Sequence, residues 1–248
     1  MSVILITGLG GSGKTIITLN LATYLAKREY NVLVVDGDLF LPNIAEYLEL
    51  GNLKYTIHSL LSDPSLDVGS AIYKHQKTDL SIMPGDKRLS SLTNVYLPLL
   101  VRIIEEASKG YALTFVDTPS NIPLEELELF NLATHQIVIL DVERIPRNTL
   151  FMFLENEIEK YLALDINNTM AHGIILNKAD ILNQENLAKY IEDTFEIPVL
   201  GVIPYDNVFL ESTFMRNPVL LEFPHSDAGI ALKDCGKIVE KWLFELTL

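Results

Sequence analysis

The segment Gly8-Leu9-Gly10-Gly11-Ser12-Gly13-Lys14-Thr15 gathers glycines, an ammonium group and a hydroxyl into one short stretch. That combination suits the binding of a polyphosphate. Glycines let the backbone curl until several N–H groups face one anion, and a helix beginning just after them adds positive potential. Lys14 would reach the β- and γ-phosphates, and the Thr15 hydroxyl is a hard oxygen ligand for Mg2+. The stretch satisfies G-x-x-x-x-G-K-[ST], a pattern that gains its force from lying between a strand and a helix, as it does here. Gly10, Gly11, Ser12, Gly13, Lys14, Thr15 and Ile16 are the expected cradle. Two other readings fit the glycines. Gly8, Gly10 and Gly13 also spell the G-x-G-x-x-G of dinucleotide folds, with Asp36 where a ribose-binding acid belongs, but that leaves Lys14-Thr15 unexplained. The other is a glycine-rich turn with no ligand.

Two acidic segments complete the candidate site. Asp36-Gly37-Asp38 and Asp117-Thr118-Pro119 each follow an apolar run, at strand ends where open α/β sheets bind their ligands. One carboxylate can hold magnesium, usually through its water shell, and a second can orient an attacking water. The expectation is that Asp117 serves the metal together with Thr15, that Asp36 lies near the ion, and that Asp38 positions the water within the same metal environment. Lys14 and Asp38 are the expected catalytic groups. Taken singly, an Asp after a strand is also a turn former or helix cap.

The elements that must position these groups are legible as alternating apolar and amphipathic stretches. Strands are expected at Val3–Thr7, Val32–Val35, Leu80–Met83, Ala112–Val116, Gln136–Asp141, Gly173–Leu176 and Val199–Ile203. Helices are expected at Thr15–Arg28, Leu97–Ser108, Leu124–Ala133, Arg147–Leu162, Gln184–Phe195 and Ala228–Glu245. Strands without clean alternation, separated by helices, predict an α/β fold: a doubly wound, mostly parallel sheet with helices on both faces. The second strand is expected directly beside the first. No linker or internal repeat divides residues 1–248, so one domain is expected, and residues 50–78 carry no clear pattern.

Composition narrows the function classes. The formal charge is −14, from 33 acidic and 19 basic residues. Nonspecific nucleic-acid binding and anionic membranes both select lysine and arginine, so neither is the expected main partner. The apolar runs are too short to cross a bilayer, and Met1 leads within two residues into a strand, leaving no room for a signal peptide. Cys235 is the only cysteine, which excludes an intramolecular disulfide and thiolate metal clusters, and a cytoplasmic setting is expected. His58, His75, His135, His172 and His225 show no metal-ligand spacing and read as ordinary side chains.

With these residues in view, the chain resembles the MinD/ParA family of P-loop ATPases nearly end to end. The resemblance is carried by the N-terminal glycine loop, Val34-Val35-Asp36-Gly37-Asp38 with Pro42-Asn43, Met83-Pro84-Gly85, and Val116-Asp117-Thr118-Pro119. It continues in Ile174-Ile175-Leu176-Asn177-Lys178, Gly201-Val202-Ile203-Pro204-Tyr205-Asp206, Asn217-Pro218-Val219 and the closing helix; the segment after Gly201 is its most MinD-like feature. The resemblance implies ATP and Mg2+ as ligands and a nucleotide-dependent homodimer that controls protein partners. It also implies that Asp38 belongs to a first switch and Asp117 to Ser120 to a second. Asn177, with Lys178 beside it, is placed at the adenine, and the loop Pro204 to Asp206 around the base.

Three departures qualify that picture. The family's loop usually carries a lysine that reaches the partner's nucleotide, and here Leu9 stands in its place. An aliphatic side chain cannot neutralise developing charge, so slow hydrolysis is expected unless another cation, Arg144 or Arg147, substitutes. Second, Asn177-Lys178-Ala179-Asp180 satisfies the N-K-x-D pattern of guanine recognition, which keeps a GTPase reading open. The loop also resembles that of metal-insertion GTPases, but the single Cys and scattered His fit those poorly. Third, Ile238, Val239, Trp242, Leu243 and Leu246 have the spacing of a helix docked on the sheet, and with Glu240 and Glu245 among them a membrane anchor is not supported. An ATP-dependent ligase or synthetase of related fold, and a non-catalytic nucleotide-binding module, remain the competing functions.

Overall fold

Each apolar run predicted to be a strand becomes one, and an eighth strand joins them. The computed structural model describes residues 1–93, 95–120, 128–143, 149–179 and 184–245. Its strands are β1 (Ser2–Gly8), β2 (Val32–Asp36), β3 (Tyr73–His75), β4 (Leu80–Met83), β5 (Leu113–Asp117), β6 (His135–Asp141), β7 (Ala171–Ala179) and β8 (Val199–Pro204). The longer helices are α1 (Lys14–Ala26), α4 (Leu99–Ser108), α6 (Leu150–Leu162), α7 (Gln184–Phe195), α8 (Val208–Met215) and α10 (Asp227–Glu245). Shorter ones are α2 (Ile44–Tyr47), α3 (Ile57–Ser62), α5 (Leu129–Leu132) and α9 (Val219–Glu222). Of the helix expected at 124–133 only its end, α5, falls within the described residues. The start of the helix expected from Arg147 lies outside them.

The eight strands form one sheet in the order β3-β4-β2-β5-β1-β6-β7-β8. All pairings are parallel except that of β3 with β4. This order corrects one expectation: β2 does not lie beside β1. The α1 crossover carries the chain past one strand position, and β5 fills that gap, bonded to β1 on one side and β2 on the other. Sequence periodicity reports which residues are buried and says nothing of how many positions a crossover skips. The consequence is functional. Asp117 ends the strand between the glycine loop and Asp36, with Ile6 and Asp36 as its register neighbours.

Both faces of the sheet are covered, which explains the strands' lack of polar alternation. Ile4, Ile6, Val34 and Phe115 point to the face held by α1 and α10, where Leu21, Leu25, Leu232 and Val239 are buried. Val3, Leu5, Leu33 and Val116 point to the opposite face, under Leu60 of α3 and Ile104 of α4. Farther along that sheet Val138, Leu140, Ile174 and Leu176 pack with Leu154 and Ile158 of α6 and Ile191 of α7.

Residues 50–78 were opaque for a physical reason. Their structure is a set of short pieces held by side-chain bonds to the backbone rather than by a continuous apolar stripe. Tyr73 is the knot: its hydroxyl accepts from the amides of Lys54 and Tyr55 at 2.9 and 3.0 Å and donates to the Tyr55 carbonyl at 2.8 Å. In α10, Val239 and Leu243 are buried, while Ile238 remains 46% exposed. Leu246 lies outside the described residues. Among the described residues no helix is long and apolar enough to cross a membrane.

Candidate functional site

The glycine loop leaves β1 through backbone angles that only glycine adopts without strain. Gly11 has φ of 78° and Gly13 of 94°. A Cβ on Gly13 would stand 2.4 Å from Asn177 Nδ2, so the loop is closed against β7 at van der Waals range. Gly13 then precedes the first turn of α1, whose leading amides face the same region. Lys14 is 8% exposed, and its ammonium donates to the carbonyls of Gly8 and Leu9 at 3.0 and 3.2 Å and to Ser120 Oγ at 3.0 Å. Burial lowers its pKa, against the pull of Asp117 and Asp38, whose negative charges favour the ammonium.

Thr15 Oγ1 donates to Asp117 Oδ2 at 2.5 Å, so the pair expected to serve magnesium is assembled across the sheet from two distant segments. Asp117 is 2% exposed, and burial raises its pKa to about 7 despite the Thr15 bond and the Lys14 charge. Asp36, equally buried, is also pushed well above the usual carboxylate range by desolvation and then by Asp117. Two carboxylates held this way are short of positive charge. Among the described residues, nine buried side-chain polar atoms have no hydrogen-bond partner, and four of them, Ser12 Oγ, Asp36 Oδ1, Asp117 Oδ1 and Asn177 Oδ1, belong to the loop and the strand ends that carry the expected site residues. Native interiors leave few such atoms, so their concentration here makes this a candidate ligand site. The donors are all oxygen, which suits a hard ion such as Mg2+; the test of fit is the unpartnered Asp117 Oδ1 beside the Thr15 hydroxyl. No three His, Cys, Asp or Glu side chains converge on a common point among the described residues, so any ion here relies on hydroxyl and water oxygens besides carboxylates.

The remaining expected residues divide by what they touch. Asp36 Oδ2 accepts from the amides of Asn43 and Ile44, both at 3.0 Å, and so closes the first turn of α2. Asp38 is half-buried, and its Oδ1 accepts from the amides of Phe40 and Leu41 at 3.3 and 2.9 Å. Asn177 is 4% exposed and donates to the Ser12 carbonyl at 2.7 Å, bracing the loop. Lys178 donates to the Gly11 carbonyl at 2.8 Å and pairs with Asp141 at 2.5 Å. Asp206 accepts from the amides of Val208 and Ala228 at 3.1 and 3.3 Å, tying the starts of α8 and α10 to the loop that follows Pro204, the last residue of β8. Asp180, Arg144 and Arg147 lie outside the described residues. Sequence reasoning missed the bracing roles of Asn177 and Lys178 toward the loop, and also His58, which bridges the Leu39 carbonyl after β2 and the Asp86 amide after β4; no local pattern signals a contact between segments so far apart in the chain.

The family profile "CobQ/CobB/MinD/ParA nucleotide binding domain" matches residues 3–219. An uncharacterized ATP-binding protein of Methanocaldococcus jannaschii is 26% identical over 234 residues, covering 94% of this chain and 85% of that protein. Among solved structures, the septum site-determining protein MinD of Pyrococcus horikoshii, complexed with Mg-ADP, superposes with a TM-score of 0.85 at 25% identity and 98% coverage of both chains. The fold is also that of the MinC:MinD cell division protein complex of Aquifex aeolicus, with a TM-score of 0.76 at 23% identity, covering 97% of this chain and 96% of that one.

Proposed function

This chain belongs to the CobQ/CobB/MinD/ParA nucleotide-binding domain family, and on that premise we propose that it is a MinD-like switch that binds and slowly hydrolyses ATP with magnesium to control association with protein partners. The observation that carries the reading is the juxtaposition of the Lys14 ammonium with the Thr15–Asp117 pair at the mouth of the glycine loop. Loop amides and the α1 terminus would hold the triphosphate, while Lys14 neutralises charge on its outer phosphates. Thr15 and Asp117 would hold the magnesium, with Asp36 behind them; the ion supplies electrostatic stabilisation of the developing charge. Asp38 would orient the attacking water. Leu9 supplies no cation to a partner's nucleotide, which supports slow turnover. The ATP and magnesium assignment also draws on the similar proteins described above, one ATP-binding and one complexed with Mg-ADP.

Calorimetric titration with Mg-ATP and Mg-GTP tests the binding half. We expect heat from ATP on the wild type and none with Lys14→Ala. A tighter GTP isotherm would transfer the reading to guanine, and equal heats from wild type and Lys14→Ala would end it. For the switch half, light scattering on the apo, ADP and ATP-analogue states should show a dimer only with the analogue. A monomer in all three states would remove the dimer mechanism while leaving nucleotide binding intact.

A further inference from the structure

His58 belongs to α3, away from the glycine loop, yet it is 1% exposed and both ring nitrogens are engaged. Nε2 lies 2.8 Å from the Leu39 carbonyl, and the Asp86 amide donates to Nδ1 at 3.0 Å. A carbonyl only accepts and an amide only donates, so these partners fix the ring as the neutral Nε2–H tautomer. Leu39 directly follows Asp38, and Asp86 follows Pro84-Gly85 at the end of β4, the strand paired with β2. The imidazole therefore stitches together the two loops that leave these neighbouring strands.

Other contacts make the stitch tight. The Ile57 amide donates to the Pro84 carbonyl at 3.0 Å, fixing the start of α3 to the same loop. A Cβ on Gly85 would stand 2.3 Å from Pro42 Cβ, so the β4 loop lies directly against the far end of the Asp38 loop. Leu39 itself is 1% exposed, whereas Phe40 and Leu41, whose amides hold Asp38 Oδ1, are 57% and 75% exposed. The turn that aims Asp38 thus has its buried anchor at Leu39, and His58 holds that anchor by its carbonyl. Asp86, the charged group facing the ring, is itself occupied by Arg88 and Ser91. Burial lowers the His58 pKa, which keeps the ring in the neutral form the two bonds require.

We propose that His58 is a positioning residue for hydrolysis, holding Asp38 in register with the phosphate site by bonding the Leu39 carbonyl. The proposal rests on the reading of Asp38 as the group that orients water. The test compares His58→Gln, whose amide can still donate near the Nε2 position, with His58→Asn, which keeps a group only near Nδ1. We expect His58→Gln to retain kcat within about threefold, and His58→Asn to lose about tenfold or more with KM for ATP little changed, the pattern of a displaced catalytic geometry. Amide hydrogen exchange at Phe40 and Leu41 should quicken in His58→Asn alone, with β1 and β5 protected as in wild type. Gly85→Ala, which pushes on Pro42, should reproduce the faster exchange. Equal kcat losses in the two His58 variants, or unchanged exchange at Phe40 and Leu41, would overturn the proposal. Asp38→Asn separates the two readings: if it leaves kcat intact, the water-orienting role falls, and the exchange data alone then decide whether His58 anchors the turn.

Discussion

Leu9 is half-buried between Gly8, whose carbonyl accepts from Lys14, and the exposed Gly10. If a partner's cation is the missing ingredient of fast turnover, Leu9→Lys should restore it. Turnover should rise about tenfold or more, and it should rise more steeply with protein concentration than in wild type, because the new ammonium acts across a dimer. An unchanged rate at every concentration would show that the loop's chemistry does not wait on that residue. Gly13 makes the complementary case. Its φ of 94° and the Asn177 amide 2.4 Å from a Cβ leave no room for a methyl group. Gly13→Ala should therefore cost roughly 1–3 kcal/mol of stability, read from denaturant midpoints, and abolish the ATP heat. The loop was readable in the sequence because its constraints are local, a matter of consecutive φ angles and one helix start. What braces it, Asn177 and Lys178 from β7 and Ser120 beyond β5, was not readable as bracing, since those contacts exist only after the sheet has set the strand order.

At the scale of elements, the long stretches were legible and the short ones were not. The helices α7 and α10 and the strands β4 and β8 emerge almost where periodicity puts them, because each turns apolar side chains into the core: Leu187 and Ile191, Val239 and Leu243, Leu80 and Ile82, and Leu200 and Ile203. The four-residue helices α2 and α9, the edge strand β3 and the position of β5 depend on partners far along the chain. The closing helix shows how such a stripe stabilises the fold. Leu232 and Val239 are fully buried against α1 and the sheet, so Leu232→Ala should lose about 2–5 kcal/mol by differential scanning or denaturant titration. Its neighbour Trp242 packs edge-on to His135 with centroids 4.8 Å apart, and burial pushes the His135 pKa down to about 4. Its Nε2 is buried without a partner, so a proton there would meet no acceptor. In the unfolded chain the ring takes up its proton near pH 6.5, so the unfolded state binds more protons as pH falls from 6.5 toward 4. Stability from this group is thus complete above pH 6.5 and lost through that window, by up to about 3 kcal/mol. His135→Phe, which keeps a ring against Trp242, should lose less stability than wild type between pH 6.5 and 4. Parallel unfolding curves across that range would exclude His135 as the titrating group.

For the whole molecule the governing quantity is charge. Each chain carries −14, from 33 acidic against 19 basic residues, and a face-to-face pair would also bring two triphosphates together. Such a pair would form against a long-range repulsion that depends on ionic strength. At about 10 mM salt the screening length is about 30 Å, so much of each chain's charge is felt by the other; near 0.15 M it shrinks to about 8 Å and only the contact surface matters. For the proposed pair, apolar contact and shared nucleotide would then have to supply the attraction. Phe40 and Leu41, exposed beside Asp38, are side chains suited to the former. The expected outcome is an ATP-analogue-dependent dimer that tightens several-fold as salt rises from about 10 mM to 0.15 M, measured by sedimentation at fixed magnesium and nucleotide. Interfaces built on complementary ion pairs behave in the opposite way and weaken with salt. A dimer that loosens over this range would therefore mean that opposite charges meet at the interface, and that the excess of acidic residues lies elsewhere on the surface.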